Sequence, residues 1–380
     1  MIDWSKEQRD LRQSFSACHE ALSAGHVHDD RAGLFSRTKW DLIRDSGLLR
    51  LPFAQEWGGL GCDLLTTMYV LEGLGCGCRD AGLNFSVATH IVSAGVPIER
   101  FGSRQLKERY MPRVCDGTSI GAHAITELDA GSDAMSMQTT ATADGDEFIL
   151  DGRKAFVSNG PVADLFVVYA RTNRSRDFRG VTAFLVERDS PGLTIGPSVE
   201  KMGLRTSPFC ELSFDGCRVP SANVIGQRGA GFLILEHVLV WEILCLFVMS
   251  VGDMQYRFER CLQHVKTRKQ FGQPIGSFQL VADKLVDMKI DVETARKWLY
   301  DTGERHANHQ KNVTVDLAIA KLLASEANVA SAMAAVQLFG ARGYISEHGI
   351  EKDLRNAIAG TIYSGTTEMQ RRRVATMLGL

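Results

Sequence analysis

One stretch constrains this chain more than any other: VLVWEILCLFVMS, Val238–Ser250, almost wholly apolar with a single acid, Glu242. The wider apolar run, Gly231–Gly252, is long enough to raise a membrane-spanning reading. It also contains Glu236 and His237, and no basic loop flanks it as a spanning helix requires. A buried helix of a soluble domain is the better expectation. Inside such a helix the charged form of Glu242 is disfavoured, so its pKa should rise. A carboxylate tuned that way suits a general base working near neutral pH. The alternative is a structural acid that reaches a basic partner or an edge of the helix, since ion pairs also perturb acids. The segment alone leaves both open.

The rest of the composition narrows the class. The chain has 380 residues, room for two or three domains, with 44% hydrophobic and 23% charged residues. A net charge of -2 argues against a general nucleic-acid binder. Nine cysteines are scattered without paired spacing, and Cys76 and Cys78 fit neither a zinc knuckle nor a redox CxxC. Free thiols in a reducing cytoplasm are the expectation. The opening MIDWSKEQRDLRQSF reads as a charged amphipathic helix and not a signal peptide.

Along the chain the periodicity changes twice. Residues 1–118 read as an N-terminal helical domain: Trp4, Leu11 and Phe15 fall near helical spacing, Thr38–Leu49 is amphipathic, and Leu64–Leu74 and Gly82–Ala94 look like buried helices. Glu56–Gly61 is a glycine-rich loop. GLGCG at Gly73–Gly77 follows a helical pattern, so it reads as a helix terminus and not a phosphate loop. His26 and His28, in a polar stretch, read as surface residues. Residues 119–229 read as a β-sandwich or barrel, with Asp-Gly turns expected at Asp144–Gly145 and Asp151–Gly152. Further strand-like runs lie at Leu165–Ala170, Val181–Val186, Leu193–Ile195 and Glu211–Phe214. Residues 230–380 return to helical period, with helices expected at Phe232–Thr267, Gln279–Tyr300, Val315–Phe339 and around Ser364–Met377, a four-helix bundle.

No metal spacing, nucleophile elbow or phosphate loop appears. Instead several motifs run in one order: ITELDAGSD (Ile125–Asp133), KAFVSNG (Lys154–Gly160), KMGLRTSP (Lys201–Pro208), RKQFGQPIGSFQ (Arg268–Gln279), QLFGARGY (Gln337–Tyr344) and IYSGTTEMQ (Ile362–Gln370). Together with the α–β–α order, they resemble the acyl-CoA dehydrogenase family over essentially the whole chain. The resemblance implies bound FAD, two-electron α,β-desaturation of an acyl thioester, and a homo-oligomer, dimer or tetramer. It implies that His123, Ile125, Thr126 and Ser132 line the flavin, with Phe156 and Ser158 where the family often has a Trp and a Thr. Arg268 and Phe271 would reach the FAD of a neighbouring subunit. Gln279, Gln337 and Gly340 would hold the adenosine and pyrophosphate, and Thr366 and Glu368 complete the cofactor set. Trp241, Leu244, Tyr363 and Gly365 would line the substrate pocket.

One departure is informative. Most of the family reads Tyr-Glu-Gly-Thr near the end, and that Glu is the base. Here the position is Ser364, whose hydroxyl cannot take an α-proton without a base of its own. A minority of the family places the base on the first bundle helix, and gap-free matching puts Glu242 there. The backbone N–H of Ser364 would donate to the thioester carbonyl. WEILCLF and YSGTTEMQ further resemble the branch that oxidises acyl groups on carrier proteins in antibiotic pathways, such as prolyl-carrier-protein dehydrogenases. Ile243 departs from that branch, where an Arg is usual. The implied partners are an acyl or aminoacyl carrier protein or an acyl-CoA, and an electron-transfer flavoprotein or O2, with no nucleic acid and no membrane. Arg371–Arg373 is a candidate patch for an acidic carrier. Competing readings are an acyl-CoA dehydrogenase for short or branched substrates, a flavin oxidase or monooxygenase, and a non-catalytic family member.

Overall fold

The computed structural model describes residues 2–173, 178–311 and 313–380. The N-terminal part is helical throughout: α1 (Lys6–Ser16), α2 (His19–Ser23), α3 (His26–Ala32), α4 (Arg37–Ser46), α5 (Leu64–Gly77), α6 (Ala81–Ala88), α7 (Val96–Phe101) and α8 (Arg104–Cys115). Short polar residues start several of them. Ser5, Ser36, Asp63, Asp80 and Ser103 each cap a helix by accepting a backbone N–H, which satisfies one of the amides a helix start leaves unpaired. Thr89–Gly95 joins α6 to α7 as a π-helical turn. GLGCG forms the end of α5, and His28 is exposed. His26 differs from the sequence expectation. It is half-buried, and burial pulls its pKa down to about 4.

The middle part is one mixed sheet of eight strands: β1 (Gly121–Ala124), β2 (Thr140–Asp144), β3 (Glu147–Ser158), β4 (Leu165–Arg171), β5 (Val181–Glu187), β6 (Leu193–Ile195), β7 (Phe209–Pro220) and β8 (Val224–Ile225). Their order is β6-β7-β3-β2-β4-β5-β8, and β1 pairs in parallel with β4. The sequence expected two Asp-Gly turns, and only one is a turn. Asp144–Gly145 lies at the β2–β3 hairpin. Asp151–Gly152 sits inside β3, where the register against β7 shifts, with Gly152 at φ 141. A Cβ there would stand 2.7 Å from Thr139, so the glycine serves a bulge and not a reversal. Strand β4 is apolar from Leu165 to Ala170 because both its faces are covered. Leu165, Val167 and Tyr169 join the core shared with the helices, and Phe166, Val168 and Ala170 join the core on the other face.

The C-terminal part contains α9 (Gly231–Thr267), α10 (Gln279–Ala307), α11 (Val313–Phe339), α12 (Ala341–Tyr344), α13 (Ile350–Ala359) and α14 (Thr367–Met377). The three long helices pack on one another, and α13 and α14 both pack on α11 in the fourth position. The sequence reading did not anticipate α13. It also began the last helix at Ser364, whereas Ser364–Thr366 form the turn and cap that precede α14. By length and composition alone α9 is apolar enough to cross a membrane, as are Ala81–Phe101 and α11. In the fold α9 buries Ile243, Leu244, Cys245 and Phe247 against neighbouring elements.

Two close approaches hold α9 in place. A Cβ on Gly75 of α5 would lie 2.1 Å from the Met249 carbonyl, and one on Gly252 of α9 would lie 2.2 Å from the Glu72 carbonyl. The helices therefore cross backbone to backbone. KMGLRTSP ties the three parts together: Leu204 N–H donates to Asn356 at 2.7 Å, Thr206 donates to Asp80 at 2.5 Å, and the Ser207 and Ser86 hydroxyls meet at 2.9 Å.

Candidate active site

Glu242 lies on the buried face of α9, its side chain 12% exposed. Four other elements surround its carboxylate. From the π-helical turn, the Ser93 hydroxyl donates to Oε1 at 2.6 Å. From the turn before α14, the Ser364 hydroxyl donates to Oε2 at 3.1 Å. From β1, His123 Nδ1 stands 3.6 Å from Oε1. From β4, Tyr169 packs edge-on to His123 with ring centroids 5.1 Å apart. Burial raises the Glu242 pKa above the ordinary carboxylate range, and the two serine donors offset this only in part. Burial also pulls His123 down to about 4. The imidazole is therefore neutral at pH 7 and forms no ion pair with Glu242. Among the described residues no Lys or Arg forms an ion pair with Glu242, and the neighbouring Ile243 is buried apolar surface.

The turn at Ser364 is held open. Ser364 has φ 52, and its N–H donates no hydrogen bond among the described residues. Gln370, fully buried, donates from Nε2 to the carbonyls of Ser364 and Gly365 at 2.9 and 3.4 Å. These bonds fix the two peptide planes that follow Ser364. Tyr363 stacks obliquely with Phe85 and Phe247 at 5.0 and 5.3 Å. It closes one end of a narrow cavity of about 50 Å³, with Phe85, Leu246, Met249, Ser250 and Asp253 along its walls. Leu246, Met249 and Asp253 follow Glu242 at helical spacing, so this wall continues the Glu242 face of α9. Leu244 does not belong to it. Two residues beyond Glu242 it lies on the opposite side of the helix, fully buried in the core, so it packs α9 and does not line the cavity. Trp241 is half-buried against the same core, and Gly365, at φ 87, sits beside Gln370. A larger open cleft of about 560 Å³, lined in part by Arg44, Asp45, Arg50 and Asp116, lies in the N-terminal part away from Glu242.

The residues expected at a cofactor fall into two groups. His123, Ile125, Thr126, Ser132, Phe156 and Ser158 lie on β1, β3 and the segment after β1. Glu127 and Lys154 lock that segment: Lys154 Nζ reaches Glu127 Oε1 at 2.8 Å and the Ile125 carbonyl at 3.0 Å. Glu127 also accepts from the Thr139 N–H and hydroxyl, at 2.9 and 2.5 Å. Against burial, these donors hold the Glu127 carboxyl below its usual range, so the pair is charged at neutral pH. The hydroxyls of Thr126, Ser132 and Ser158 take no partner among the described residues. Phe156 is 56% exposed at φ 56, and the buried His123 Nε2 is unpaired. This is an unspent set of polar edges beside an exposed ring, which fits a flat heteroaromatic group with polar margins.

The second group is remote from the first. Arg268, Phe271, Gln279, Gln337 and Gly340 gather where α9 ends, α10 begins and α11 ends. Arg268 follows Glu242 by about 39 Å of helix at 1.5 Å per residue. Phe271 is 93% exposed and Gly340 lies in open space at φ 58. Thr366 caps α14 by accepting from Met369 N–H at 3.3 Å, and Glu368 is exposed in the first turn. Ser93 and Tyr169 lie beside Glu242, yet the sequence reading singled out neither. Ser93 sits in the apolar run THIVSAG and Tyr169 in the strand LFVVYAR, and neither run carries a motif.

Comparison with known proteins accounts for this arrangement. Residues 5–118, 122–217 and 229–379 match the acyl-CoA dehydrogenase N-terminal, middle and C-terminal domains. The chain belongs to the acyl-CoA dehydrogenase family. One family member, an L-prolyl-[peptidyl-carrier protein] dehydrogenase of Serratia sp. (strain ATCC 39006), is 38% identical over 91% of this chain and 90% of its own. The crystal structure of the prolyl acyl carrier protein oxidase AnaB superposes with a TM-score of 0.96 at 39% identity, covering all of both chains. PigA with FAD and proline superposes at 0.97 and 36% identity, covering 100% of this chain and 99% of that one. This family member carries Ser364 in the turn before α14, in contact with the buried Glu242 of α9.

Proposed function

We propose that this chain is an FAD-dependent dehydrogenase that oxidises an aminoacyl thioester of prolyl type carried on a carrier protein. The observation that carries the reading is the buried Glu242 carboxylate, 3.1 Å from the hydroxyl of the residue that takes the family's usual base position. The prolyl-carrier-protein relatives, at 38% identity along nearly the whole chain, support the substrate class.

Each residue then has a task. The free Ser364 amide receives the thioester carbonyl and stabilises negative charge as it develops there, which acidifies the α-carbon. Glu242 takes the α-proton. Burial raises its basicity toward a weak carbon acid. Tyr363, Phe85 and Leu246 exclude water from the acyl group. The hydroxyls of Thr126, Ser132 and Ser158, with Phe156 and His123, hold the edges of the isoalloxazine, and Thr366 holds the phosphate region. FAD, when bound, supplies the two-electron acceptor. The exposed group at Arg268, Phe271, Gln279, Gln337 and Gly340 serves the cofactor of a neighbouring copy in a homo-oligomer. The enzyme works in the cytoplasm, in keeping with nine free cysteines, of which six are buried.

The test is anaerobic flavin bleaching with prolyl-loaded carrier protein against a panel of acyl-CoAs. Bleaching by the carrier-bound substrate, with loss of two or four hydrogens from the loaded carrier by mass, is the expected result. Bleaching by acyl-CoA alone returns the protein to thioester breakdown. Repeating the turnover in air and with an electron-transfer flavoprotein separates the two electron acceptors.

A further inference from the structure

The Glu242 carboxylate needs donors, and among the described residues no Lys or Arg pairs with it. The side chains facing it are Ser93 from the π-helical turn, Ser364 and Tyr363 from the turn before α14, His123 from β1 and Tyr169 from β4. Tyr169 and Tyr363 are held protonated by burial, and His123 is neutral. Among the described residues only the two serine hydroxyls donate to the carboxylate, one to each oxygen, and the shorter bond is from Ser93.

The backbone around Ser93 is unusual. Thr89–Gly95 interrupts the helix Ala81–Phe101 with a π turn. Such a turn inserts a residue and so rotates the rest of the helix by about 100° relative to an unbroken α-helix. The turn is bolted to the strand that carries His123. His90, fully buried within it, accepts the Gly121 N–H on Nδ1 at 3.0 Å and donates from Nε2 to the Val114 carbonyl at 2.9 Å. Gly121 N–H can only donate and the carbonyl can only accept, so His90 is fixed as the neutral Nε2–H tautomer. Gly121 packs close enough that a Cβ would meet Ala94 at 2.4 Å. Ser93 and His123 are thus set in one rigid frame on either side of Oε1.

We infer that Ser93 is a positioning residue for Glu242: delivered by the π turn and locked by His90, it fixes the carboxylate and, with the Ser364 hydroxyl, supplies the anion stabilisation that a neighbouring cation would otherwise give. The inference rests on Glu242 being the base. Ser93 touches neither substrate nor cofactor in this role. It acts through Glu242.

The experiment measures flavin reduction by the loaded carrier across pH in the holoenzyme for S93A, S93V, S93T and E242Q. In parallel, the protonation of Glu242 is followed directly by the infrared carboxylic C=O band that is absent from E242Q. A hydrogen bond to a charged group is among the stronger ones. Its loss in S93A and S93V moves the acid limb and the infrared transition together to higher pH, and lowers the rate below the limb by about tenfold or more. The high-pH plateau stays within a few-fold of wild type. S93T keeps the hydroxyl and keeps the wild-type limb, while its isostere S93V does not. An S93V profile that superimposes on wild type overturns the inference. So does a uniform loss at all pH shared by S93V and S93T with the infrared transition unmoved, because that is a packing defect. If E242Q itself still reduces its flavin, the assignment of the base has failed, and the infrared transition alone then decides whether Ser93 governs Glu242.

Discussion

Glu242, the proposed base, and Ser364 are in contact, and the proposal can be tested by moving the acid from one to the other. Ser364 Oγ lies 3.1 Å from Glu242 Oε2. In Ser364→Glu, Cγ takes the place of Oγ and the carboxylate oxygens extend about 2.4 Å further, from two bonds of about 1.5 and 1.2 Å. In the double variant Glu242→Ala/Ser364→Glu, that carboxylate falls within about 1 Å of the oxygen it replaces. The left-handed backbone at Ser364, φ 52, is already borne by a non-glycine residue, so glutamate adds little strain of its own. Removing a general base costs about 10²–10⁴-fold, and a misplacement of about 1 Å costs about 10²-fold. Glu242→Ala should therefore lose about 10³-fold in the anaerobic rate of flavin reduction by prolyl-carrier protein. The double variant should recover to within about 10²-fold of wild type. Ser364→Glu alone should be impaired, because two carboxylates in contact cannot both ionise and one is driven protonated. All variants must first show full FAD content. A double variant as inert as Glu242→Ala would refute the claim that the two positions address the same carbon. A Glu242→Ala enzyme retaining more than a tenth of the activity would refute the base itself.

Lys154→Met leaves Glu127 charged and buried, and should cost about 3–5 kcal/mol in denaturant unfolding, with Lys154→Met/Glu127→Gln recovering most of it. Gly252→Ala drives a methyl to 2.2 Å from the Glu72 carbonyl, so α5 and α9 must separate. A loss of at least about 3 kcal/mol is expected, read as a drop in soluble yield and unfolding midpoint. Gln370→Leu removes the donor that sets the Ser364 and Gly365 carbonyls, and should lower the rate at every pH without moving the acid limb. Glu242→Gln should be inactive yet more heat-stable at alkaline pH. A carboxyl whose folded pKa is raised contributes stability below its unfolded pKa and loses it as pH rises through the folded one, so the gap in Tm should be wide at pH 8 and close toward pH 5.

Much of the arrangement could be read from local pattern, because period and turn chemistry are local. The long helices of the bundle, the central strands and the buried placement of Glu242 all arise from runs of a few to a few dozen residues. The features that could not be read were long-range or geometric. Ser93 meets Glu242 across 149 residues and Ser364 across 122, and nothing in THIVSAG marks one serine as different from a satisfied helix residue. A π turn has no composition of its own. Asp151–Gly152 carries the same dipeptide as a hairpin turn, and only the partner strand decides that it is a bulge. The resemblance implies Leu244 at the pocket, whereas 3.6-residue periodicity turns it away from the Glu242 face.

Hydroxyl donors in place of a cation bear on what kind of base the proposed Glu242 is. A guanidinium beside Glu242 would stabilise the anion strongly and so weaken its pull on a proton. It would also have to be buried, because position 243 is buried between packed helices, and a buried charge left without its partner is costly. Two serine hydroxyls, at 2.6 and 3.1 Å, orient both oxygens at no net charge. They leave the pKa raised by burial, where the carboxylate is a stronger base. Under the proposed role of Glu242, its place on α9, the isoleucine at 243, the serine at 364 and the serine on the π turn are parts of one solution. A variant that restores the cation, Ile243→Arg, should be tolerated only if the arginine reaches Glu242, and in that case it should lower the acid limb and slow proton abstraction at the plateau.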